Sequence, residues 1–318
     1  ITAGLEYIYI FSEALSVSAS AFPVVNSGWD RLDLGTVAGI PTTLTEEDEI
    51  MSYFARSNYS YKNKYLLSAS IRTDGSSKFG ANNKWGYFPA VSAAWRIINE
   101  DFMKNATAFS DLKLRASYGQ AGNNRIGNYA ALAIFDSGSY PLNNKTIATA
   151  FQKNLPNPNL KWESTQSTNL GLDLGFFNQR IALTTELYEN RSKDLLYNTR
   201  IPANSGFTNQ FQNIGSTSSR GLEFTLNTVN IKKEDFTWNT SFNIAFNKTK
   251  VLSLSEGETS LLTDSYARNV NDYILQVGKP VGIMYGYIND GLYQVNDFDY
   301  NATNGTYTLK SDVIKDNI

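Results

Sequence analysis

The sequence predicts an all-β fold: an antiparallel transmembrane β-barrel built from long strands. Three observations predict it. Apolar and polar residues alternate along stretch after stretch, the period of a strand with two unlike faces. The connections alternate between tight turns and long polar loops. Charges inside the alternating stretches keep to one parity.

Residues 51–61 form the first alternating stretch, with Arg56 on its polar side. Over 65–72, Tyr65, Leu67, Ala69 and Ile71 oppose Leu66, Ser68, Ser70 and Arg72. Over 85–97, Trp85, Tyr87, Val91, Ala93, Trp95 and Ile97 oppose Phe88, Ser92, Ala94 and Arg96. Pro89 offers no ladder N–H, so a bulge or a local break in pairing is expected there. Over 112–119, Leu112, Leu114, Ala116 and Tyr118 oppose Lys113, Arg115, Ser117 and Gly119. Over 168–176, Thr168, Leu170, Leu172, Leu174 and Phe176 oppose Asn169, Gly171, Asp173 and Gly175. Residues 181–187 and 222–228 repeat the pattern, with Glu186 and Glu223 on their polar faces. WNTSFNIAFN, 238–247, is the cleanest case. Trp238, Thr240, Phe242, Ile244 and Phe246 share one parity; Asn239, Ser241, Asn243, Ala245 and Asn247 share the other.

Tight turns are expected near Asn63, near Asn178 and Gln179, and over Lys232 to Glu234, with a medium connection from Asn99 to Ser110. Long polar stretches run from Thr73 to Lys84, Gln120 to Lys161 and Asn190 to Ser219. Followed in order, the turns fall at one end of the sheet and the loops at the other. Helical periodicity is confined to Glu46–Ser52 and Glu100–Ala108.

Composition removes several functions. The chain has 318 residues and a formal charge of −2, which leaves no general basic footprint for nucleic acid. Cysteine and histidine are absent. That excludes disulfides, thiolate nucleophiles, Cys/His zinc sites and every imidazole base. No cofactor, metal-binding or catalytic residue is expected. No run of 18 apolar residues is present, so no helix spans a membrane. No secretory leader opens the chain, and Ile1 is an unusual first residue, so the chain reads as a piece of something longer.

The apolar faces could meet a protein core or lipid. Sandwich strands run about 5–6 residues, whereas these approach the roughly 9–11 residues that cross a bilayer when tilted. Both environments purge charge from the apolar parity, since a Lys or Arg facing lipid at the midplane costs about 2–4 kcal/mol. Trp85, Tyr87, Trp95, Tyr118 and Trp238 lie near strand ends, where interfacial aromatic girdles sit. Lipid is the favoured reading.

Several stretches are more specific than the pattern. YFARSNYSYKNKYLLSASIRTDGSSKFGANNKWGYFPAVSAAWRI (53–97), LKLRASYGQAGN (112–123) and NPNLKWESTQSTNLGLDLGFFNQRI (157–181) resemble the TonB-dependent outer-membrane transporters of the SusC/RagA type from Bacteroidetes. NIGSTSSRGLEF (213–224) and GKPVGIMYGYINDGLYQ (278–294) resemble them too. The resemblance covers about residues 50–295; residues 1–50 carry no recognised motif. It implies that 1–318 is part of a 22-stranded receptor barrel with a plugged lumen. Plug, signal peptide and last strands would then be absent from this chain. It implies a place in the bacterial outer membrane and active uptake of large nutrients, oligosaccharides and sometimes peptides. It implies a SusD-like surface lipoprotein as lid, and energy delivered by TonB–ExbB–ExbD through the missing N-terminal region. No catalytic step is implied.

On this reading Arg56, Arg72, Arg96, Lys113, Arg115 and Glu223 are candidates to face the lumen. Lys113 and Arg115 could line a substrate path, meet a plug, or be generic polar lining. Tyr129, Phe135 and Tyr140, in the longest loop, could stack on sugar rings, pack the loop or touch the lipoprotein. RTDGSSKFG (72–80) reads as an ordinary loop and DFDYNATNG (297–305) as a polar loop more than a calcium site. TEEDE (45–49) reads as a solvated charge run. Two other functions stay open: a passive porin or adhesion barrel, and a soluble carbohydrate-binding β-sandwich.

Overall fold

A computed structural model describes residues 1–23, 31–255, 257–264, 271–286 and 291–311. The chain divides into two units, residues 1–261 with 275–281, and residues 262–274 with 282–318.

The first unit is built on a nine-stranded sheet: β1 (Thr2–Ser16), β2 (Thr42–Tyr61), β3 (Tyr65–Ser76), β4 (Trp85–Arg96), β5 (Phe109–Asn123), β6 (Glu163–Phe176), β7 (Ile181–Lys193), β8 (Ser216–Lys232) and β9 (Thr237–Ser253). Each strand pairs antiparallel with its neighbours in sequence, and β1 and β9 form the two edges.

Every alternating stretch lies in one of these strands, save Ile97, which opens a 3-10 turn just past β4. β1 has no counterpart in the sequence reading, because its apolar run Tyr7–Phe11 hides the alternation. Glu46–Ser52 is not helical: it is the early part of β2, held in register against β1 from Glu46↔Ser12 to Ser52↔Glu6. Long-range pairing overrides a weak helical pattern there. Glu100–Ala108 holds only a short 3-10 turn at Asp101–Met103.

Tight connections gather at one end. Lys62 and Asn63 both have positive φ, and the Lys64 amide donates to the Tyr61 carbonyl over 2.9 Å. Such a primed turn matches the twist of the flanking strands. Phe177, Asn178 and Gln179 turn β6 into β7 with three positive φ values. Lys233 bonds Phe236 across the β8–β9 turn. The opposite end carries 17–23 and 31–41, 77–84, 124–162 and 194–215. These loops are shorter than the sequence suggests, because β3, β5 and β7 continue to Ser76, Asn123 and Lys193. Outside the apolar zone both faces are wet, so alternation lapses while backbone pairing persists.

The sheet is inside out by the standard of a soluble protein. On β3 the apolar parity is exposed and the polar parity is partly covered. Leu67, Ile71 and Val91 each leave about half of their surface open, as do Phe242 and Phe246. A sandwich would bury this face against a second sheet; here it faces outward, as lipid contact requires. The soluble-sandwich reading therefore falls.

Pro89 pairs with Ile71 of β3 without a register shift, but the ladder toward β5 stops at Ala90↔Gly119. The missing N–H ends pairing on one side only. The buried apolar cluster of this unit lies among the loops: Phe79, Ile126, Ala130, Ala131 and Leu160, with Trp162, Leu196 and Phe211 packed against it.

In the second unit, Tyr273 and Ile274 pair with Met284 and Ile283. Phe298–Asn301 and Thr306–Leu309 form a hairpin. The Asn301 side chain accepts from the Thr303 amide and Asn304 from the Thr306 amide, so DFDYNATNG uses these oxygens to shape its turn.

Candidate functional site

The polar face of the sheet carries two charged networks. In the first, Arg115 of β5 grips Asp173 of β6 with Nε and Nη2 at 2.9 and 3.0 Å. Its Nη2 also reaches Glu186 of β7 at 2.6 Å. Lys113 adds a 3.0 Å contact to Asp173. Arg115, Gly171, Glu186 and Glu223 stand side by side across four strands. Gly171 is what lets Arg115 span two strands. A Cβ there would sit 2.8 Å from Arg115 Nη2, in the path of the guanidinium. Glu223 stands opposite Glu186 and has no ion-pair partner among the described residues.

In the second network Arg72 bonds Asp74 at 2.6 Å, Glu6 at 2.7 Å and the Ser52 hydroxyl at 2.8 Å. Its guanidinium lies 6.0 Å from the Phe54 ring centre. Glu6 belongs to β1, so this network was out of reach of the sequence reading. Arg56 bonds Asn58, and Arg96 ties to Asn63 at the tight-turn end. Of the six polar-face candidates, Lys113, Arg115 and Glu223 thus share one neighbourhood; Arg96 stands opposite Lys113 but bonds Asn63, and Arg56 and Arg72 stand apart. Between β2 and β6 the same face holds a recess of about 470 Å³, lined by small polar groups such as Ser68, Ser92, Ser117 and Asn169.

Nearer the loops, Asp48 is buried and faces Lys78 at 3.4 Å, with the Ser77 hydroxyl also bonding it. One member of TEEDE is therefore paired rather than solvated, because the 77–84 loop folds back over β2. At the turn end Glu100 accepts from Lys64 Nζ, Trp95 Nε1 and the Tyr65 hydroxyl. These donors hold its carboxyl down to about 2, far below the usual carboxylate range.

The loops form a tied layer. Asn157 donates to the Phe211 carbonyl, and Asn213 and Lys161 exchange bonds through side chain and backbone. Between 127–155 and 198–211 lies a recess of about 700 Å³. Phe151, Phe207, Asn128, Asn154 and Asn198 are among its walls. The three loop aromatics singled out in the sequence lie elsewhere. The Tyr129 hydroxyl accepts from the Glu47 amide. Phe135 and Tyr140 project from opposite faces of the hairpin Phe135–Leu142/Lys145–Gln152, so one ligand cannot stack on both. Nothing in the sequence singled out Phe151 or Phe207, since their meeting depends on two loops docking.

Residues 3–317 match the family described as TonB dependent receptor-like, beta-barrel. The chain belongs to the TonB-dependent receptor barrel family. It is 36% identical over 312 residues to TonB-dependent receptor P3 of Formosa agariphila, covering 97% of this chain and 31% of that one. It is 39% identical over 225 residues to TonB-dependent receptor SusC of Bacteroides thetaiotaomicron, covering 69% of this chain and 22% of that one. The structure of the RagAB peptide transporter superposes with a TM-score of 0.76 at 28% identity, over 87% of this chain and 30% of that one. The chain therefore spans under a third of the length of these relatives. The match also includes residues 3–50, where β1 and the start of β2 lie. TonB-dependent receptor barrels are outer-membrane proteins, so the exposed apolar face is the lipid-facing one. The tight turns then mark the periplasmic end and the long loops the outer end.

Proposed function

We propose that this chain is part of the barrel of an importer that carries large nutrients, oligosaccharides or peptides, across the outer membrane. Energy reaches it through TonB, ExbB and ExbD, and a SusD-like surface lipoprotein closes it from outside. The plug, the TonB contact and the remaining strands belong to the rest of the parent protein. The match over residues 3–317 to TonB-dependent receptors carries this reading. No catalytic step is assigned to it.

In this reading the polar face lines the lumen. Arg56, Arg72, Arg96, Lys113, Arg115 and Glu223 then face the interior, with the paired ones holding the wall rigid. The loop recess is the first contact for substrate. Its Phe151 and Phe207 offer aromatic faces, and its Asn side chains offer both donors and acceptors. That combination suits sugar rings or peptide backbone. Tyr129, Phe135 and Tyr140 serve the loop layer and the lid.

The test is uptake of labelled oligosaccharide and peptide mixtures by cells carrying or lacking the parent gene. Uptake of at least one class should vanish with the gene and with collapse of the inner-membrane proton gradient. Uptake that persists after collapse of the gradient would mark a passive barrel instead.

A further inference from the structure

The apolar face ends abruptly on β6 to β9. Leu170, Leu187, Leu222 and Phe246 stand side by side across these strands and point outward. The next outward row, two residues nearer the loops, is Thr168, Glu189, Arg220 and Lys248. The row above it is Gln166, Arg191, Ser218 and Lys250. Two residues along a strand are ~7 Å. Four cations therefore begin within one headgroup's depth of the last lipid-facing row. With Ser218 and Leu252 they line a cleft of about 320 Å³.

Among the described residues, one carboxylate neutralises this cluster. Glu189 contacts Arg191 at 2.6 Å and Arg220 at 3.0 Å. Lys248 and Lys250 are exposed and have no ion-pair partner among the described residues. Such cations are not a general feature of the outward face. On β1 and β2 the outward parity near the loops carries Glu13, Glu47 and Glu49. Nor can the cluster greet a substrate in the lumen, because its parity is that of Phe242 and Phe246.

We propose that Arg191, Arg220, Lys248 and Lys250 form a site on the barrel's outer wall for the phosphate of an outer-leaflet lipid headgroup. The occupant follows from position. Just beyond an apolar band, the anions available are headgroup phosphates, and basic pockets at this depth bind them. Lipid would be held there by charge-assisted bonds from two guanidinium and two ammonium groups, while Leu252 gives the cleft an apolar edge.

The full-length parent receptor, folded in detergent, allows a direct test by native mass spectrometry. The probes are a phosphorylated glycolipid, the same glycolipid without phosphate, and inorganic phosphate. Each cation near an anionic headgroup is worth about fivefold in affinity. The double variant K248Q/K250Q should therefore bind the phosphorylated lipid about 30-fold more weakly. E189Q removes the competing carboxylate and should bind it more tightly. Gel mobility before and after heating confirms that each variant is folded. Equal binding of the phosphate-free lipid would overturn the proposal, as would an unchanged affinity in K248Q/K250Q. Displacement of the lipid by inorganic phosphate at matching concentration would show a free-anion site and overturn it too.

Discussion

Gly171 is the position where the smallest change should reach furthest. Arg115 crosses it to join Asp173 and Glu186, and a Cβ at 171 would lie 2.8 Å from Nη2 and 2.9 Å from Cζ. In Gly171→Val the guanidinium keeps Asp173, its neighbour on the near side, and gives up Glu186. A hydrogen bond to a charged group is worth about 1.5–3 kcal/mol. Arg115 and Glu186 are both 30% exposed, which argues for the low end. Glu186 then faces Glu223 with nothing between them, and like charges directly opposite cost up to about 1 kcal/mol. The loss through the network comes to about 2 kcal/mol. Valine suits a strand better than glycine and gives back up to about 1 kcal/mol. The single variant alone would therefore mislead. A double-mutant cycle with Glu186→Ala isolates the coupling. The assay is urea unfolding of the full-length receptor in lipid vesicles, followed by tryptophan fluorescence. Without Glu186 the valine should cost nothing or stabilise, giving a coupling of about 2 kcal/mol. Costs that add to within about 0.5 kcal/mol would refute the idea that glycine serves the guanidinium's reach.

Glu100 makes a pH prediction. Its carboxyl is depressed to about 2, so the stability it contributes is present above the ordinary carboxylate value and is lost as pH falls through about 2. The fluorescence difference between wild type and E100Q, reported by Trp95, should titrate near that pH; a midpoint near 4.5 would contradict the three-donor cage. On β9, Phe242→Arg should cost about 2–4 kcal/mol at the lipid face, whereas Asn243→Arg, one residue away on the polar face, should fall within about 0.5 kcal/mol. The folded fraction on unheated gels distinguishes them, and equal losses would mean the two faces are misassigned. Deleting the hairpin 135–152 should leave the barrel folded and reduce uptake. Deleting 124–162 should also loosen the loops toward protease, because it removes Ile126, Ala130, Ala131 and Leu160 from their shared core.

The strands were legible wherever lipid and water face each other across the backbone. Phe242, Ile244 and Phe246 against Asn243 and Ala245 leave no other reading. Legibility failed where that contrast disappears. In β1, Ile8 and Ile10 sit on the otherwise polar parity, and the run looks featureless. Beyond the membrane, Gln120 to Asn123 and Asn190 to Lys193 are strands whose two faces are both polar. The site was legible in part. Parity put Lys113, Arg115, Asp173 and Glu186 on one face, but nothing local joined them. Asp173 lies 58 residues from Arg115 and Glu186 lies 71 away. Gly171 was the missed signal, an empty place on the polar parity two residues before Asp173. The outward cations were missed because the alternating stretches reach the loop side only as far as Leu187, Leu222 and Asn247, short of the rows where the charges begin. The loop recess had no local signal at all.

The aromatic pairs at the two ends of β4 form a gauge. Tyr53 stacks on Trp85 with ring centres 5.9 Å apart, and Tyr65 stacks on Trp95 at 6.4 Å. The two indoles are ten residues apart, ~33 Å along the strand. Outer-membrane barrels present an apolar band ~25 Å tall between their girdles. Both lengths can hold only if the strand leans by ~40°, the tilt such barrels adopt. Because one stack reaches from β2 across β3 to β4 and the other joins β3 to β4, they set one lean for β2, β3 and β4 together. A thicker bilayer would have to draw all three upright at once and shear their ladders. The protein thus carries its own specification of membrane thickness.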